Sequence, residues 1–446
     1  MQAQQVAPWL GSAAIPRHAG VASMLAVALL GAGPARVGLG VSASQASDCS
    51  RTSVGFTPLI DLGAGTYHGY EGGLYAGGSN ERPPAHDAAG VAIANAIVPL
   101  DTLGNPDPVH GRIVLISIGM SNTTMEFSAF VPKAQADPMR NPQVFPIDCA
   151  EGGQAAGDIN HPDAPYWDTV FSRLRSHGSA PAQVQAVWLK EAERSPNGPF
   201  PATAETLMRD LGAIVRIIED KMPNVRLCYI TSRIYGGYAS TTLNPEPYAY
   251  ESGFAVKWLI QGQIVGVDSL NFDPASGPVG APWLSWGPYL WADGLTPRSD
   301  GLTWSCDEFN TDGTHPSDLG RNVVADSLLS FFHRDPTASP WFVRVGVAGV
   351  ESAGDGEALS IALAPNPISE SIAMTVEVRV GRPWRLEVFD ASGRRTTEVA
   401  RGVGTGSART LRWHADDDHG VRVHAGIYWA RLTAGSDRVA RRFVVR

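Results

Sequence analysis

The sequence has little positive charge and few long apolar runs. It carries 35 lysine and arginine residues against 44 aspartate and glutamate residues in 446 positions, a formal net charge of -9. Proteins that bind nucleic acids cover phosphates with lysine and arginine, so this balance disfavours a nucleic acid as partner. Beyond residue 46 no segment approaches the length of a membrane-spanning helix, so we expect no stable transmembrane span.

Cysteine is also scarce. The four cysteines are Cys49, Cys149, Cys228 and Cys306. Their spacing does not resemble a zinc site, and we predict neither a metal nor a cofactor. In an exported chain four cysteines permit two disulfides in three possible pairings, and free buried thiols are the alternative.

The first 46 residues have the pattern of an export signal. Arg17 and His18 precede the apolar run "GVASMLAVALLGAG", and small residues follow in "SASQA". This order favours cleavage after Ala46, and Met24 is an alternative start. A single membrane anchor is the other interpretation, although glycine and proline interrupt the run early for a span.

The remaining 400 or so residues are too many for one ordinary core, so we expect two domains. Residues 47–335 are predicted as one α/β domain, whose Gly/Tyr-rich extension (47–105) reads as loops with a few short strands. After it, apolar runs such as "RIVLISIG", "VQAVWLK" and "VRLCYITSRI" alternate with helical patterns such as "ATAETLMRDLGAIVRIIEDKMP". This alternation predicts a parallel, three-layer α/β sheet. Ser317 is placed to cap the last helix.

A different pattern follows. Residues 336–358 contain two prolines and a Gly/Ala/Ser/Glu run, which predicts a linker. From residue 359 to 446 short alternating strands and turn signals predict an all-β sandwich of immunoglobulin type. The turn "DDDHG" is read as a solvated loop rather than a calcium site.

The tip of the strand "RIVLISIG" carries the first chemical signal. Gly119 permits a tight turn and Ser121 follows where a helix begins. Ligands bind at the carboxyl edge of a parallel sheet, and a helix start offers N–H groups to an oxyanion. Ser121 is therefore a candidate nucleophile, with a plain helix cap as the alternative. "GGSN" at 77–80 repeats the letters but follows no strand, so it reads as a turn.

A base for this serine is suggested by "NTDGTHPSDLG". Asp312 and His315 are three residues apart, a spacing that lets the carboxylate bind one imidazole nitrogen and leaves the other free to take the proton of Ser121. The alternative is that Asp312 serves only the turn and His315 only the helix end.

These two segments resemble a known family. "IGMSN" resembles the first block of the SGNH (GDSL-like) hydrolases, and "DGTHP" resembles their last block, D-x-x-H-P. The resemblance spans roughly 106–335. It implies a flavodoxin-like sheet and ester hydrolysis through an acyl-serine, with Ser121 as nucleophile, His315 as base and Asp312 as its orienting partner.

The resemblance also implies an oxyanion hole. Besides the N–H of the nucleophile, the second block supplies a glycine, and in "CAEGGQAAGDI" we favour Gly153 over Gly152. The third block, G-x-N, has no match in "VQAVWLKEAERSPNG". Glu193 falls nearest to the asparagine position and Asn197 lies four residues on. Asn122 is the next candidate donor, and is also a candidate for substrate binding.

An aromatic segment, together with the substrates usual for the family that the chain resembles, suggests a substrate class. "APWLSWGPYLWADG" holds Trp283, Trp286 and Trp291, whose rings would suit a sugar at the rim of a cleft. Their alternative role is core packing. We therefore expect a small-molecule or carbohydrate ester substrate that the enzyme deacetylates or deacylates.

The C-terminal region has a resemblance of its own. "LAPNPISESIAMTVEV", "RLEVFDASGRR" and "RWHADDDHGVRVHAGIYWARL" are similar to the immunoglobulin-like module of flagellar hook-cap proteins and of type IX secretion sorting tails. This implies a bacterial protein that is secreted or held at the cell surface, with secretion machinery as a partner. A spacer is the alternative. The function predicted is an exported serine esterase, and its rival is an idle surface adhesion protein that keeps the fold.

Overall fold

The computed structural model describes residues 46–344 and 359–445, apart from 365–367, 369–370, 391–393, 425 and 436. Residues 1–45 of the predicted export signal and 345–358 of the predicted linker lie outside this range. None of the helices in the described part is both long and apolar enough to cross a bilayer.

A five-stranded parallel sheet forms the first domain, as predicted. Its strands are β3 (Ile113–Gly119), β4 (Val144–Asp148), β5 (Val184–Lys190), β6 (Leu227–Ile230) and β7 (Trp283–Trp286). The spatial order is β4-β3-β5-β6-β7. This is the flavodoxin-like order, in which the direction of winding reverses beside β3.

Helices cover both faces of this sheet. They are α3 (Ser121–Ala136), α4 (Ala156–Ile159), α5 (Pro165–Ser176), α6 (Ala202–Lys221), α7 (Tyr248–Ile264), α8 (Asp318–Arg334) and α9 (Ser339–Phe342). Every residue of β3, β5, β6 and β7 is buried, which requires a cover on each side. Helix α3 packs on α8, and α6 packs on α7. The Ser317 side chain caps α8 by accepting from the Gly320 N–H.

The N-terminal extension is more regular than expected. It contains α1 (Leu59–Leu62), a hairpin of β1 (Thr66–Tyr67) and β2 (Tyr70–Glu71), and α2 (Pro84–Ala96). The last of these was missed because its alanine-rich segment has weak amphipathic periodicity, although Pro84 stands at a favoured helix-start position. Gly90 lets α2 approach the sheet, because a Cβ there would meet the Trp283 ring at 2.3 Å.

The predicted linker begins too early in the chain. Residues 336–343 pack into the core of the α/β domain, where Trp341 and Phe342 are buried and Val343 pairs with Arg140. Two prolines suggested a linker here, but Pro340 lies in the first turn of α9, where a missing N–H costs nothing.

The C-terminal domain is an antiparallel β-sandwich with its own hydrophobic core. Its strands are β8 (Leu359–Ala364), β9 (Ile372–Val378), β10 (Pro383–Asp390), β11 (Arg395–Val403), β12 (Arg409–Trp413), β13 (Gly426–Ala434) and β14 (Asp437–Val445). Sheets of order β11-β10-β13-β14 and β12-β9-β8 make the seven strands of an immunoglobulin-type arrangement. Burial alternates strictly along β9, as a half-covered strand requires.

One disulfide forms rather than two. Cys49 is bonded to Cys306 across 257 residues, while Cys149 and Cys228 are free and buried. The bond ties the start of the described chain to the segment that leads into the Asp312–His315 loop. Ser47 N–H reinforces this contact by donating to the Thr311 carbonyl at 2.6 Å.

We predict that a chain of residues 47–344 folds alone, whereas one of residues 47–336 is strongly destabilised. The shorter chain lacks Trp341 and Phe342, and truncating one buried aromatic side chain already costs about 3–5 kcal/mol. Urea unfolding followed by far-UV circular dichroism measures the difference. Equal midpoints for the two chains would contradict the core position of α9, and aggregation of the longer chain would show that the α/β domain needs the sandwich.

Candidate active site

Ser121 is the first residue of α3 and stands directly beyond the carboxyl end of β3. The turn depends on Gly119, whose φ of +151° favours glycine and whose Cβ would lie 2.1 Å from the Lys190 carbonyl oxygen. The Gly119 N–H donates to the Tyr166 hydroxyl at 2.9 Å. The N–H groups in the first turn of α3 have no intrahelical acceptor and are available to an anion.

The predicted base lies on a closed loop just before α8. Asn310 N–H donates to the His315 carbonyl at 2.8 Å, and Gly313 N–H donates to the Asn310 carbonyl at 2.9 Å. Gly313 has φ +63°, and a Cβ there would lie 1.9 Å from the Tyr238 carbonyl oxygen. The tight packing against Tyr238 leaves this loop little freedom.

The structure brings the three predicted catalytic residues together. Ser121 Oγ lies 2.7 Å from His315 Nε2, and His315 Nδ1 lies 2.5 Å from Asp312 Oδ2. The side chains of His315 and Asp312 are 20% and 29% exposed, so both are partly open to solvent. This is the order of contacts that lets a carboxylate orient an imidazole and the imidazole take a serine proton.

Asp312 is held as a carboxylate. Partial burial acts to raise its pKa, but hydrogen bonds from the His315 ring and from the backbone N–H groups of His315 and Thr314 outweigh this and lower the pKa to about 2. An ionised Asp312 accepts from Nδ1–H and so leaves Nε2 as the acceptor that faces Ser121.

The second-block loop is anchored to the nucleophile turn. Glu151 N–H donates to the Gly119 carbonyl at 2.9 Å. A Cβ on Gly152 would lie 3.8 Å from Ser121 Cβ, whereas Gly153 has φ +81° and faces open space. The glycine in contact with Ser121 is therefore Gly152, and our preference for Gly153 as the N–H donor stays a prediction.

The third-block candidates do not reach the triad. The Glu193 carboxyl lies beside Gly157 and Asp210 of α6, and its Oε1 has no hydrogen-bond partner among the described residues. Burial, and then the Asp210 carboxyl, raise the pKa of Glu193 to about 8, so it is protonated at neutral pH. Asn197 is exposed. Among the described residues, no hydrogen bond joins either side chain to Ser121 or His315.

Asn122 is not a substrate contact. Its side chain is 1% exposed, and Nδ2 donates to the Thr314 carbonyl at 3.0 Å. One N–H of this amide is engaged with the loop of the base, and Asn122 as an oxyanion donor stays a prediction.

The three tryptophans that suggested a sugar site are core residues. Trp283, Trp286 and Trp291 are buried, and their indole N–H groups donate to protein acceptors at 2.7–3.1 Å. Trp283 and Trp286 lie on β7, which pairs with β6, so strand pairing rather than a cleft explains them.

Sequence reasoning missed the charged residues beneath the site. Lys190, at the end of β5, is fully buried and lies 2.6 Å from both carboxylate oxygens of Glu126 on α3. Arg233, just beyond β6, is also buried. The position of a lysine at the end of an apolar strand could have indicated a buried charge. The sequence of that strand does not reveal the glutamate on another element with which the lysine pairs.

No group of three or more metal-ligating side chains is found within the described ranges.

Comparisons with known proteins assign no family. No protein-family model matches the chain, and no curated protein matches it. A solved structure from Streptococcus pneumonia, named for platelet activating factor, is 13% identical over 55% of this chain and 92% of its own, with a TM-score of 0.29. The periplasmic domain of a lipopolysaccharide acetyltransferase from Salmonella ser. Paratyphi A is 13% identical over 49% and 83%, with a TM-score of 0.29.

PorU from Porphyromonas gingivalis is 20% identical over 22% of this chain, with a TM-score of 0.19. The match spans only 10% of PorU. At these TM-scores the similarities do not indicate which activity or partner this protein has.

We predict that the protein loses stability between pH 5 and pH 8 in a way that depends on Glu193. Its folded-state pKa of about 8 lies above the ordinary 4.5, so the unfolded chain releases this proton first and stability falls as pH rises through that window. Glu193→Gln should remove this part of the pH dependence of the urea midpoint. Glu205→Gln, on the same helix as Asp210, should keep it. A constant difference between wild type and Glu193→Gln from pH 5 to pH 8.5 would contradict the prediction.

Proposed function

We propose that the α/β domain is a serine esterase of SGNH type that hydrolyses carboxylic esters through an acyl-serine intermediate. The observation that carries the proposal is the continuous hydrogen-bonded chain from Ser121 Oγ through both nitrogens of His315 to Asp312. A serine hydroxyl near its ordinary pKa needs such a base to act as a nucleophile.

In the first half of the reaction His315 Nε2 takes the proton as Ser121 Oγ attacks the ester carbonyl carbon. The imidazolium is stabilised by the Asp312 carboxylate on Nδ1. Collapse of the tetrahedral intermediate breaks the bond to the alcohol oxygen, which receives the proton from His315. In the second half His315 activates a water, which attacks the acyl carbon, and the carboxylic acid leaves Ser121.

The oxyanion would form over the start of α3. The Ser121 N–H and an N–H of the Gly152–Gly153 loop supply two donors, and the positive end of a 16-residue helix adds to them. The usual asparagine has no counterpart at the triad. Since one side-chain donor is worth about a hundred- to thousandfold in rate, we expect a modest turnover number.

The substrate class that we propose is less specific than the one that the sequence suggested. The tryptophans of β7 lie in the core, so they do not support the predicted contact with a sugar. We therefore restrict the proposal to carboxylic esters, and acylated carbohydrates become one class to test. Export is supported by the Cys49–Cys306 disulfide, because such bonds persist in oxidising compartments. Sorting to the cell surface through residues 359–446 is proposed only on their sequence resemblance.

Hydrolysis of p-nitrophenyl acetate by residues 47–446 tests the proposal. Ser121→Ala and His315→Ala should lose activity about equally, because the two groups act as a unit. Asp312→Asn should lower kcat by up to roughly 10⁴-fold, since an amide does not fix the required tautomer.

Ser79→Ala is the matched control, because Ser79 repeats the G-x-S-N letters in a turn where its hydroxyl accepts from the Glu81 N–H. It should retain full activity. A wild type no faster than Ser121→Ala would favour the idle surface protein.

A further inference from the structure

One carbonyl oxygen links the loop of the base to the helix of the nucleophile. The Thr314 carbonyl accepts from Asn122 Nδ2 at 3.0 Å and from Arg233 Nη2 at 3.4 Å. Thr314 immediately precedes His315, and Asn122 immediately follows Ser121. The carbonyl therefore lies one residue from the base, and one of its donors lies one residue from the nucleophile.

Arg233 also contacts the other side of the nucleophile. Its Nη1 lies 3.7 Å from the sulfur of Met120, the residue before Ser121, and its backbone N–H donates to Ser252 Oγ at 3.1 Å on α7. The side chain is 2% exposed. Arg233 thus spans the two segments that must meet for catalysis, and α7 holds its backbone.

The hydrogen bonds of Arg233 are long or missing, although burial of its charged guanidinium costs free energy. Burial lowers the pKa of this guanidinium, and nearby carboxylates, Glu126 first among them, oppose the effect. Its Nε has no hydrogen-bond partner. A buried charge with long or missing hydrogen bonds contributes little to stability and is often replaceable by an apolar residue. A contribution to the stability of the fold therefore does not explain why an arginine is buried at position 233.

Few contacts join the loop of the base directly to the helix of the nucleophile, although packing against Tyr238 and hydrogen bonds to residues 240–241 also hold the loop. In the region that the structure describes, two hydrogen bonds join residues 310–315 to α3, and these are the Ser121–His315 bond itself and the Asn122–Thr314 bond. The bonds from Asp312 to His315 lie within the loop and move with it. They orient the ring but do not bring it to the nucleophile.

We propose that Asn122 and Arg233 are positioning residues that hold the Thr314 carbonyl and so keep His315 Nε2 within hydrogen-bond distance of Ser121 Oγ. The inference rests on the proposed esterase function. Both residues act through the peptide of Thr314 and not on the substrate. A misplacement of about 1 Å typically costs roughly a hundredfold in rate, so a small shift of this peptide is enough to be measured.

The test measures how fast a fluorophosphonate reacts with Ser121, which reports activation of the serine without a natural substrate. Asn122→Ala should slow this reaction by roughly ten- to a hundredfold, and should lower kcat for p-nitrophenyl acetate with KM unchanged. The downfield NMR signal of the His315 Nδ1 proton should persist, because Asp312 lies on the same loop.

Thr123→Val is the matched control. Thr123 follows Asn122 on the same helical turn, and its Oγ1 donates a buried hydrogen bond to the Lys190 carbonyl at 2.5 Å. The substitution removes this bond, which does not involve the loop of the base. It should lower the melting temperature but not the rate of phosphonate reaction. Equal slowing in both variants would show a general structural effect and overturn the proposal.

Arg233→Lys provides a second variant that keeps the charge. It should also slow the phosphonate reaction, and its effect should not add fully to that of Asn122→Ala, because both act on one carbonyl. Unchanged rates in Asn122→Ala, a rise in KM alone, or loss of the His315 proton signal would each overturn the proposal. A wild type that does not react at all would overturn the esterase function first, and this inference with it.

Discussion

Parallel hydrogen bonding between β3 and its neighbours decides where the chemistry of this chain is located. Parallel strands present their carboxyl ends at one edge of the sheet, so the residues after β3, β5 and β6 converge although they are far apart in sequence. Ser121, Lys190 and Arg233 all follow from that register. A shift of β3 by one residue would turn its side chains to the opposite face and move the serine with them.

The converging strand ends also concentrate charge in a dry environment. Lys190 and Glu126 are fully buried, and burial lowers the pKa of the lysine to about 8 and raises that of the glutamate, while their ion pair opposes both changes. Burial likewise raises the pKa of Glu191 well above its ordinary range. The site thus combines the partly exposed carboxylate of Asp312 with the ion-paired Glu126 and the protonated Glu193. Their different surroundings, not their chemistry, separate their roles.

The parts of the site that sequence predicted are those encoded locally. The turn at Gly119 and Ser121 and the contact of Asp312 with His315 each lie within a few positions of the chain, whereas the pairing of Ser121 with His315 across 194 residues was predicted from the family resemblance. The parallel sheet and the sandwich were equally predictable from the sequence, because strand and helix periodicities are local patterns.

What remained hidden depends on partners distant in the chain. The burial of Trp283 follows from the pairing of β7 with β6 and from the approach of Gly90, neither of which its own segment reveals. Glu193 was aligned by counting from a motif, but its carboxyl meets Asp210 of α6. Asn122 was read as a free donor because its acceptor, Thr314, lies 192 residues away. Side-chain direction at such positions is decided by tertiary packing.

The Cys49–Cys306 bond makes a covalent ring that contains all five strands of the parallel sheet and Ser121, while His315 lies just outside it. A protease that cuts once anywhere inside the ring leaves the two fragments linked, so the strand that leads to Ser121 is not lost from the molecule. A cut between Cys306 and His315 would instead separate His315 from the ring. The consequence of proteolysis is therefore unevenly distributed, and residues 307–314 form the segment in which a single break leaves Ser121 and His315 on separate fragments.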